Sequence, residues 1–582
     1  MKRMLKRIWR SPVTTVILGI LFVLSFSSAV FYHVKIHSAD VAVIEPADVF
    51  VPIAQEETNS VFTDETVQAV QVSAVDQRLW AEQAVRLLQD NVGQMSAIYT
   101  RVYTSKPVTA VTFEGVGSMD EAERVISVLR AHAGTGTFFF TQAQIQSEVS
   151  FLTRIIQMGQ QVGILVDFDQ ADSGSLMCDL LEIRDFLQTM YAYAGIIPIR
   201  PVLGAPSEAL CECASALGWP VVLETIQATP EEVWRQGNPE IIAGLVFPAN
   251  ALTLQRGGIA NFQLGAFTRD EVLGDYLRYL IESRNASQVT LVTDIIADPA
   301  QQYIYPLPDS LISMEVREAI APGQTTYANV LQRITNGYIG LDGQNKESLM
   351  PGFTYLERDA LNKTGMVRNE NDQVFLTFEG WGSDVAVQNI LGVLEKHNAH
   401  ATFFIKTEDV PANPNLVRAI AAGGHDIGTR THTDKPVGVG LDSDTRVVEI
   451  NETEADELRQ DIVTSYNTLM HICGDMTSDS GKPSLTAYFR PPGLLISRRG
   501  LEVVFDLGFK YCILGSYDCE DDKAKSVSDL ANAMRQHTQS GSVLILRMSD
   551  DCPYTAEALD SYLTRIEMDK HYRFVGLSMA LR

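Results

Sequence analysis

One stretch of this chain is written almost twice. Val111 opens VTFEGVGS, and Leu376, 265 positions later, opens LTFEGWGS. The flanks hold the same offset without a gap: Thr137-Phe138-Phe139 answers Thr402-Phe403-Phe404, and Val162-Gly163 answers Ile427-Gly428. Apolar residues at helical spacing fill the interval in each copy (Val125, Val128, Leu129; Ile390, Val393, Leu394). Such a duplication constrains the fold strongly, because one architecture must suit both copies. Each copy alternates short β-rich runs with amphipathic helices, which predicts parallel strands joined by βαβ crossovers. The first reads VTAVTF, GTFFF, QVGILV and IIPIRPVLG, with a capping-box pattern at Ser118 and Glu121 before its first helix. The second offers seven strand-like runs: VFLTF, ATFFI, HDIGTRT, AYFRPPG, KYCILGS, SVLILRM and RFVGL. The expected class is α/β, as two tandem (β/α) barrels of seven to eight strands.

The 582 residues exceed what one core sustains. The expected divisions are a basic tail (1–12), an apolar span (13–32), an acidic stalk and helix (33–105), one barrel (106–300), a connector (301–371) and a second barrel (372–582). The tail carries Lys2, Arg3, Lys6, Arg7 and Arg10, and Val13–Tyr32 is uncharged. About twenty apolar residues span a bilayer, and basic flanks stay cytoplasmic. A signal anchor is therefore expected: one transmembrane helix in the cell membrane, with the bulk of the chain extracellular. A cleaved signal peptide, with SSA at Ser27–Ala29 as its cleavage region, is the rival reading. A formal charge of −26 argues against nucleic acid as a partner. The seven cysteines, an odd number, show no Cys-x-x-Cys spacing and read as small buried side chains.

In a (β/α) barrel, chemistry gathers in the loops after the strands. There the sequence places Glu114 and Glu379 after the first strands, then Arg430, His432 and Asp434, then Arg490, Asp518, Asp521 and Arg547. Trp381, Tyr488 and Tyr517 are aromatics of the same loops.

The order of these motifs resembles the polysaccharide deacetylase family, the NodB-homology domain. LTFEG stands for Thr-Phe-Asp-Asp-Gly, followed by ATFFI, GHDIG, FRPPG, SYDCED and GSVLIL; the first copy matches through VTFEG, GTFFF and RPVLG. The resemblance implies a distorted barrel that removes acetyl groups from chitin-like, peptidoglycan or exopolysaccharide chains. It also implies a divalent metal, usually zinc, bound by one Asp and two His, with a second Asp as base and a late His as acid. Here the base position is Glu379, the metal Asp is Gly380, the two His positions are Arg430 and Asp434, and the acid His is Arg547. Arg490 would orient the base. The first copy holds Leu165 and Asp169 at the His positions, and His132 is its lone histidine.

Arg430 places a fixed positive charge where the ion would sit, and Arg547 cannot surrender a proton near neutral pH. The expected reading is therefore a membrane-anchored, metal-less pseudoenzyme that binds N-acetylated cell-wall or exopolysaccharide glycans. Arg430 is expected to pair with Glu379, and Trp381, Arg430, Tyr488, Tyr517 and Arg547 are the expected substrate contacts. No cofactor is expected; the alternative is one zinc or manganese on His432, Asp434 and Glu379. Two other functions stay open: a divergent hydrolase using Glu379, Arg490, Asp518 and Asp521, and a non-catalytic scaffold.

Overall fold

The structure is a computed structural model and describes residues 74–582, apart from 168–171, 203, 248–253, 285–286, 321–326, 370, 442–445, 570–571 and 582. The basic tail, the apolar span and most of the stalk lie outside the described residues. Among the described residues no helix is long and apolar enough to cross a membrane.

The duplication seen in the sequence is a duplication of topology. The first copy contributes β1 (Ile98–Tyr99), β2 (Val108–Glu114), β3 (Thr137–Phe140), β4 (Gln161–Val166), β5 (Ile199–Pro201), β6 (Val221–Val222), β7 (Ile226–Gln227), β8 (Ile259–Gln263) and β9 (Gln288–Thr290). They form one nine-stranded sheet in the order β1-β6-β5-β4-β3-β2-β8-β7, with β9 paired to β2. The second copy contributes β10 (Tyr338–Ile339), β11 (Gln373–Gly380), β12 (Ala401–Ile405), β13 (Asp426–Thr429), β16 (Leu485–Phe489), β17 (Tyr511–Ile513), β18 (Tyr517–Asp518), β19 (Val543–Arg547) and β20 (Arg573–Phe574). Their order, β10-β17-β16-β13-β12-β11-β19-β18 with β20 on β11, is the same pattern strand for strand. The second copy alone adds an antiparallel hairpin, β14 (Val439–Leu441) with β15 (Arg446–Val448), after β13. That insertion is one reason the exact offset does not hold through the later strands.

All seven strand-like runs of the second copy are strands. Nine rather than seven or eight form each sheet because β1, β10 and the two-residue β7 and β18 carry too little pattern to be read. The boundaries move accordingly. Tyr338–Ile339 falls in the expected connector, yet it pairs in parallel with β17. Leu307, Ile312, Val316, Ile334 and Phe353 of that segment are buried in the core of the second barrel. The helix Ala74–Asp90 packs on the first barrel, where Trp80 Nε1 donates to Asp185 at 2.8 Å.

Alternation along the strands sorts the side chains into two layers. Leu376 and Phe378 of β11 face the helices, whereas Phe375, Thr377 and Glu379 point into the barrel. Phe375, Phe404, Ile513 and Val543 fill the lower interior, closed from below by Val575, Leu577 and Leu581.

The two barrels meet through buried polar groups. Arg256, just before β8, faces Asp384 in the first turn of the helix after β11, at 3.3 Å, with both side chains essentially inaccessible. Asn413 Nδ2 also donates to Asp384, at 2.5 Å. Asn415 Nδ2 donates to the carbonyls of Val102 and Arg256 at 2.9 and 2.8 Å, while its oxygen accepts from the Thr104 N–H at 3.1 Å. A Cβ on Gly257 would lie 2.0 Å from the Val102 carbonyl and 2.5 Å from Asn415 Nδ2, and its φ is +66°, so only glycine allows this approach. Arg256 and Val102 belong to the strand-entry floor of the first barrel. Asp384, Asn413 and Asn415 belong to loops and helix starts beside the rim of the second, so one barrel stands with its floor against the flank of the other's rim.

Removing one member of a buried pair strands the other charge, whereas removing both does not. Asp384→Ala should cost about 3–5 kcal/mol in urea unfolding. Arg256→Met added to it should recover part of that loss; a double variant worse than Asp384→Ala would refute a seam held by this pair.

Candidate functional site

Each barrel mouth is organised by one interior arginine. In the second barrel Arg490, fully buried, follows β16. Its Nε donates to the Ile513 carbonyl at 3.1 Å, its Nη2 donates to Thr377 Oγ1 at 2.9 Å, and its guanidinium lies 4.3 Å over the Phe404 ring. Nη1 stands 3.7 Å from Glu379 Oε2. Burial, opposed mainly by Glu379, pulls Arg490 down to about 10, so it remains a cation at neutral pH. The first barrel repeats the set. Arg200 Nε donates to the Val222 carbonyl at 2.9 Å, Nη2 donates to Thr112 Oγ1 at 3.3 Å, Nη1 meets Glu114 at 2.5 Å, and the guanidinium lies 4.5 Å over Phe139.

Arg430 does not pair with Glu379, contrary to the sequence expectation. It pairs with Asp434 at 3.2 Å, and Lys406 approaches the same carboxylate at 3.3 Å. Glu379 is already held by the arginine beneath it, and Asp434, at φ +58°, lies four residues beyond Arg430 in the loop after β13. A Cβ added to Gly380 would lie 3.8 Å from Arg430 Nη1. The guanidinium thus lies beside the position where the family's metal aspartate would project. The first barrel has a counterpart: a Cβ on Gly115 would lie 2.3 Å from Gln263 Nε2. In both mouths a polar side chain borders the gap left by the missing carboxylate.

The residues present do not fit the divalent ion that the resemblance implies. Gly380 offers no ligand and Arg430 is a fixed cation. The alternative trio is not assembled either: His432 Nδ1 bonds Thr407 Oγ1 at 3.1 Å, Asp434 is taken by Arg430 and Lys406, and Glu379 faces Arg490. Among the described residues no three His, Cys, Asp or Glu side chains converge as a metal group.

On the other side of the mouth, Arg547 donates from Nη1 and Nη2 to both Asp518 oxygens at 3.0 Å and from Nη1 to Asp521 at 2.9 Å. Asp521 also accepts from the Arg547 N–H and the Thr555 hydroxyl at 2.8 and 2.7 Å. Burial works against the Arg547 charge, but these two carboxylates outweigh it and raise its pKa further. Asp518 and Asp521 are thereby committed to Arg547, which leaves neither as a free acid or base for the hydrolase alternative.

The expected aromatics separate. Trp381 sits half-buried at the rim. Tyr488 does not reach it: the ring belongs to the barrel interior and its hydroxyl donates to the Leu581 carbonyl at 3.1 Å. Tyr517 turns outward, with its ring stacked at 3.5 Å on His537. Tyr488 shares the inward-facing register of Arg490 but lies two residues deeper, below the rim, while Tyr517 faces the other way. Leu165 is buried inside the first barrel, Asp169 lies outside the described residues, and His132 caps an outer helix near Glu282. His425 lies buried against Phe403.

Several mouth atoms are buried without hydrogen-bond partners: Glu379 Oε2, Arg490 Nη1, Arg430 Nε and Thr429 Oγ1. Such a cluster marks a place for a polar guest or water. The sequence reading gave Glu121 only a capping role. Its Oε2 accepts from the Gly265 N–H at 2.7 Å, so the capping box predicted with Ser118 closes on one side only. Oε1 is buried without a partner, and burial, with Asp270 adding to it, pushes Glu121 up to about 7.

Three comparisons bear on this site. Residues 367–512 match the family described as polysaccharide deacetylase. A peptidoglycan-N-acetylglucosamine deacetylase of Bacillus cereus is 26% identical over 227 residues, 39% of this chain and 73% of that protein. A chitooligosaccharide deacetylase of Azorhizobium caulinodans is 24% identical over 193 residues, 33% of this chain and 80% of that protein. Among solved structures, a CE4 family pseudoenzyme from Bacillus anthracis is 19% identical and covers 37% of this chain and 67% of that one, with a TM-score of 0.30.

Because the folded state holds the Glu121 proton more tightly than the unfolded chain does, its contribution to stability is complete below about pH 4.5 and is lost as pH rises through about 7. Glu121→Gln should remove that slope and stabilise the first barrel at pH 8 by up to about 3 kcal/mol. Denaturant unfolding at pH 5 and pH 8 checks both; equal slopes in the two proteins would contradict the assignment.

Proposed function

We propose that this chain, whose second barrel belongs to the polysaccharide deacetylase family, binds N-acetylated cell-envelope glycan at the mouth of that barrel without the family's metal-dependent hydrolysis. One observation carries the reading: Arg430, anchored on Asp434, lies 3.2 Å from that carboxylate at the very positions where the resemblance asks for two histidine ligands. The charge there is a fixed cation. It cannot accept a metal, but it donates well to acetamido carbonyls and sugar hydroxyls. Below it the ion pair of Glu379 Oε2 with Arg490 Nη1, 3.7 Å apart and buried, fixes the base of the mouth. Trp381, half-buried above them, offers an aromatic surface to a sugar face.

The uncharged Val13–Tyr32 span behind a basic tail supports a chain anchored in the cell membrane with both barrels outside. The relatives named for peptidoglycan and chitooligosaccharide support an N-acetylglucosamine polymer as the ligand.

Full-length protein, purified without chelator, should carry no stoichiometric metal by plasma mass spectrometry and should release no acetate from chitooligosaccharide. It should bind that oligosaccharide in calorimetry, and Trp381→Ala should weaken binding about tenfold, or ~1.4 kcal/mol. One tightly held zinc per chain that is lost in Asp434→Ala, or measurable deacetylation, would overturn the reading.

A further inference from the structure

The floor of the first barrel and the loop after β12 line a half-open pocket of about 240 Å³ that the rim chemistry does not use. Its walls are largely apolar: Ile226, Phe247 and Leu254 from the first barrel and Ala412 from the second. One cation faces it. Arg101 Nη2 donates to Gln255 Oε1 at 2.5 Å, but Nη1 is buried without a hydrogen-bond partner. The neighbouring carboxylate, Asp384, is already engaged by Arg256 and Asn413. The hydroxyls on the wall are likewise committed: Thr109 donates to the Gly258 carbonyl at 3.2 Å, and Thr225 donates to the Thr100 carbonyl at 2.5 Å.

An unpaired guanidinium nitrogen in an apolar enclosure is costly, and an anion that met it would relieve the cost. We propose that this cavity between the barrels binds a small organic carboxylate, its charge on Arg101 and its apolar body against Ile226, Phe247 and Leu254. At about 30 Å³ for each water of the liquid, the space is that of roughly eight waters, room for a small organic acid. Ala412 closes the loop that follows β12 on the rim side of the second barrel, so the carboxylate has two sources. It arrives free, or it is carried as a side group on a glycan lying across the rim. The site stands whether or not the rim binds glycan.

Calorimetry of the full-length chain with hexanoate and with hexanamide, matched in size and differing in charge, tests the proposal. Hexanoate should bind about tenfold tighter or better, and Arg101→Gln should erase that preference. Ala412 is exposed, so Ala412→Phe narrows the cavity without disturbing a core, and it should abolish hexanoate binding even if Arg101→Gln fails to fold. Equal affinity for the two probes, or hexanoate binding unchanged in Ala412→Phe, would overturn the site. The source is then read from an N-acetylhexosamine oligomer with and without lactyl ether carboxylates. A preference for the acidic oligomer that Arg101→Gln removes assigns the site to a glycan side group. No preference, with hexanoate still bound, assigns it to a free carboxylate; Trp381→Ala affects the oligomers alone and so separates this site from the rim.

Discussion

Each barrel is built around a charge that it cannot lose. A guanidinium inside a β-barrel is expensive to desolvate, and it is tolerated only where nearly every donor finds a partner. Arg490 meets that demand with the Ile513 carbonyl, the Thr377 hydroxyl, the Phe404 ring and the Glu379 carboxylate, and so ties β11, β12, β16 and β17 together at one level. Arg200 does the same in the first barrel. With the arginine in place, the glutamate above it is an ion-pair partner and the mouth is held in shape. This explains how two copies of different rim composition share one mouth geometry.

The seam adds a second constraint. Arg256, Asp384, Asn413 and Asn415 form a buried polar junction whose bonds are directional, so the two barrels cannot slide past one another without stranding charges. An apolar seam of the same area would tolerate small rotations far better, since apolar contact is non-directional. The first barrel is thereby fixed as a wall beside the rim of the second.

Much of the fold was legible because it was written twice. The repeat offset, the β-rich runs and the helical spacings located most strands, though not β8 (Ile259–Gln263), and the parts of Gly380, Arg430 and Asp434 came from the resemblance to the family's motifs. What was not legible depends on register and on distance. Tyr488 and Tyr517 look like rim aromatics in sequence, yet one lies two residues below the rim inside the barrel and the other turns onto His537. Arg430 chose Asp434 over Glu379 because a glutamate already paired from below has little to offer a second cation, and only the assembled barrel shows that pairing. The seam was silent for a different reason. Asp384 reads as an ordinary helix-start aspartate and Arg256 as a loop arginine, and nothing in either neighbourhood announces a partner 128 residues away.

The nearness of Arg430 to the place a Cβ on Gly380 would take also bears on what single exchanges in the mouth can do. An aspartate restored at 380 would project beside a guanidinium and form an ion pair with it, so the first back-step would lock the arginine in rather than recreate a ligand. A histidine restored at 430 alone would face a glycine and would leave Asp434 with only Lys406. Neither exchange alone supplies a ligand pair, so a metal site of the kind the resemblance implies would need both positions to change together, and the ion pair of Arg430 with Asp434 opposes each step taken singly.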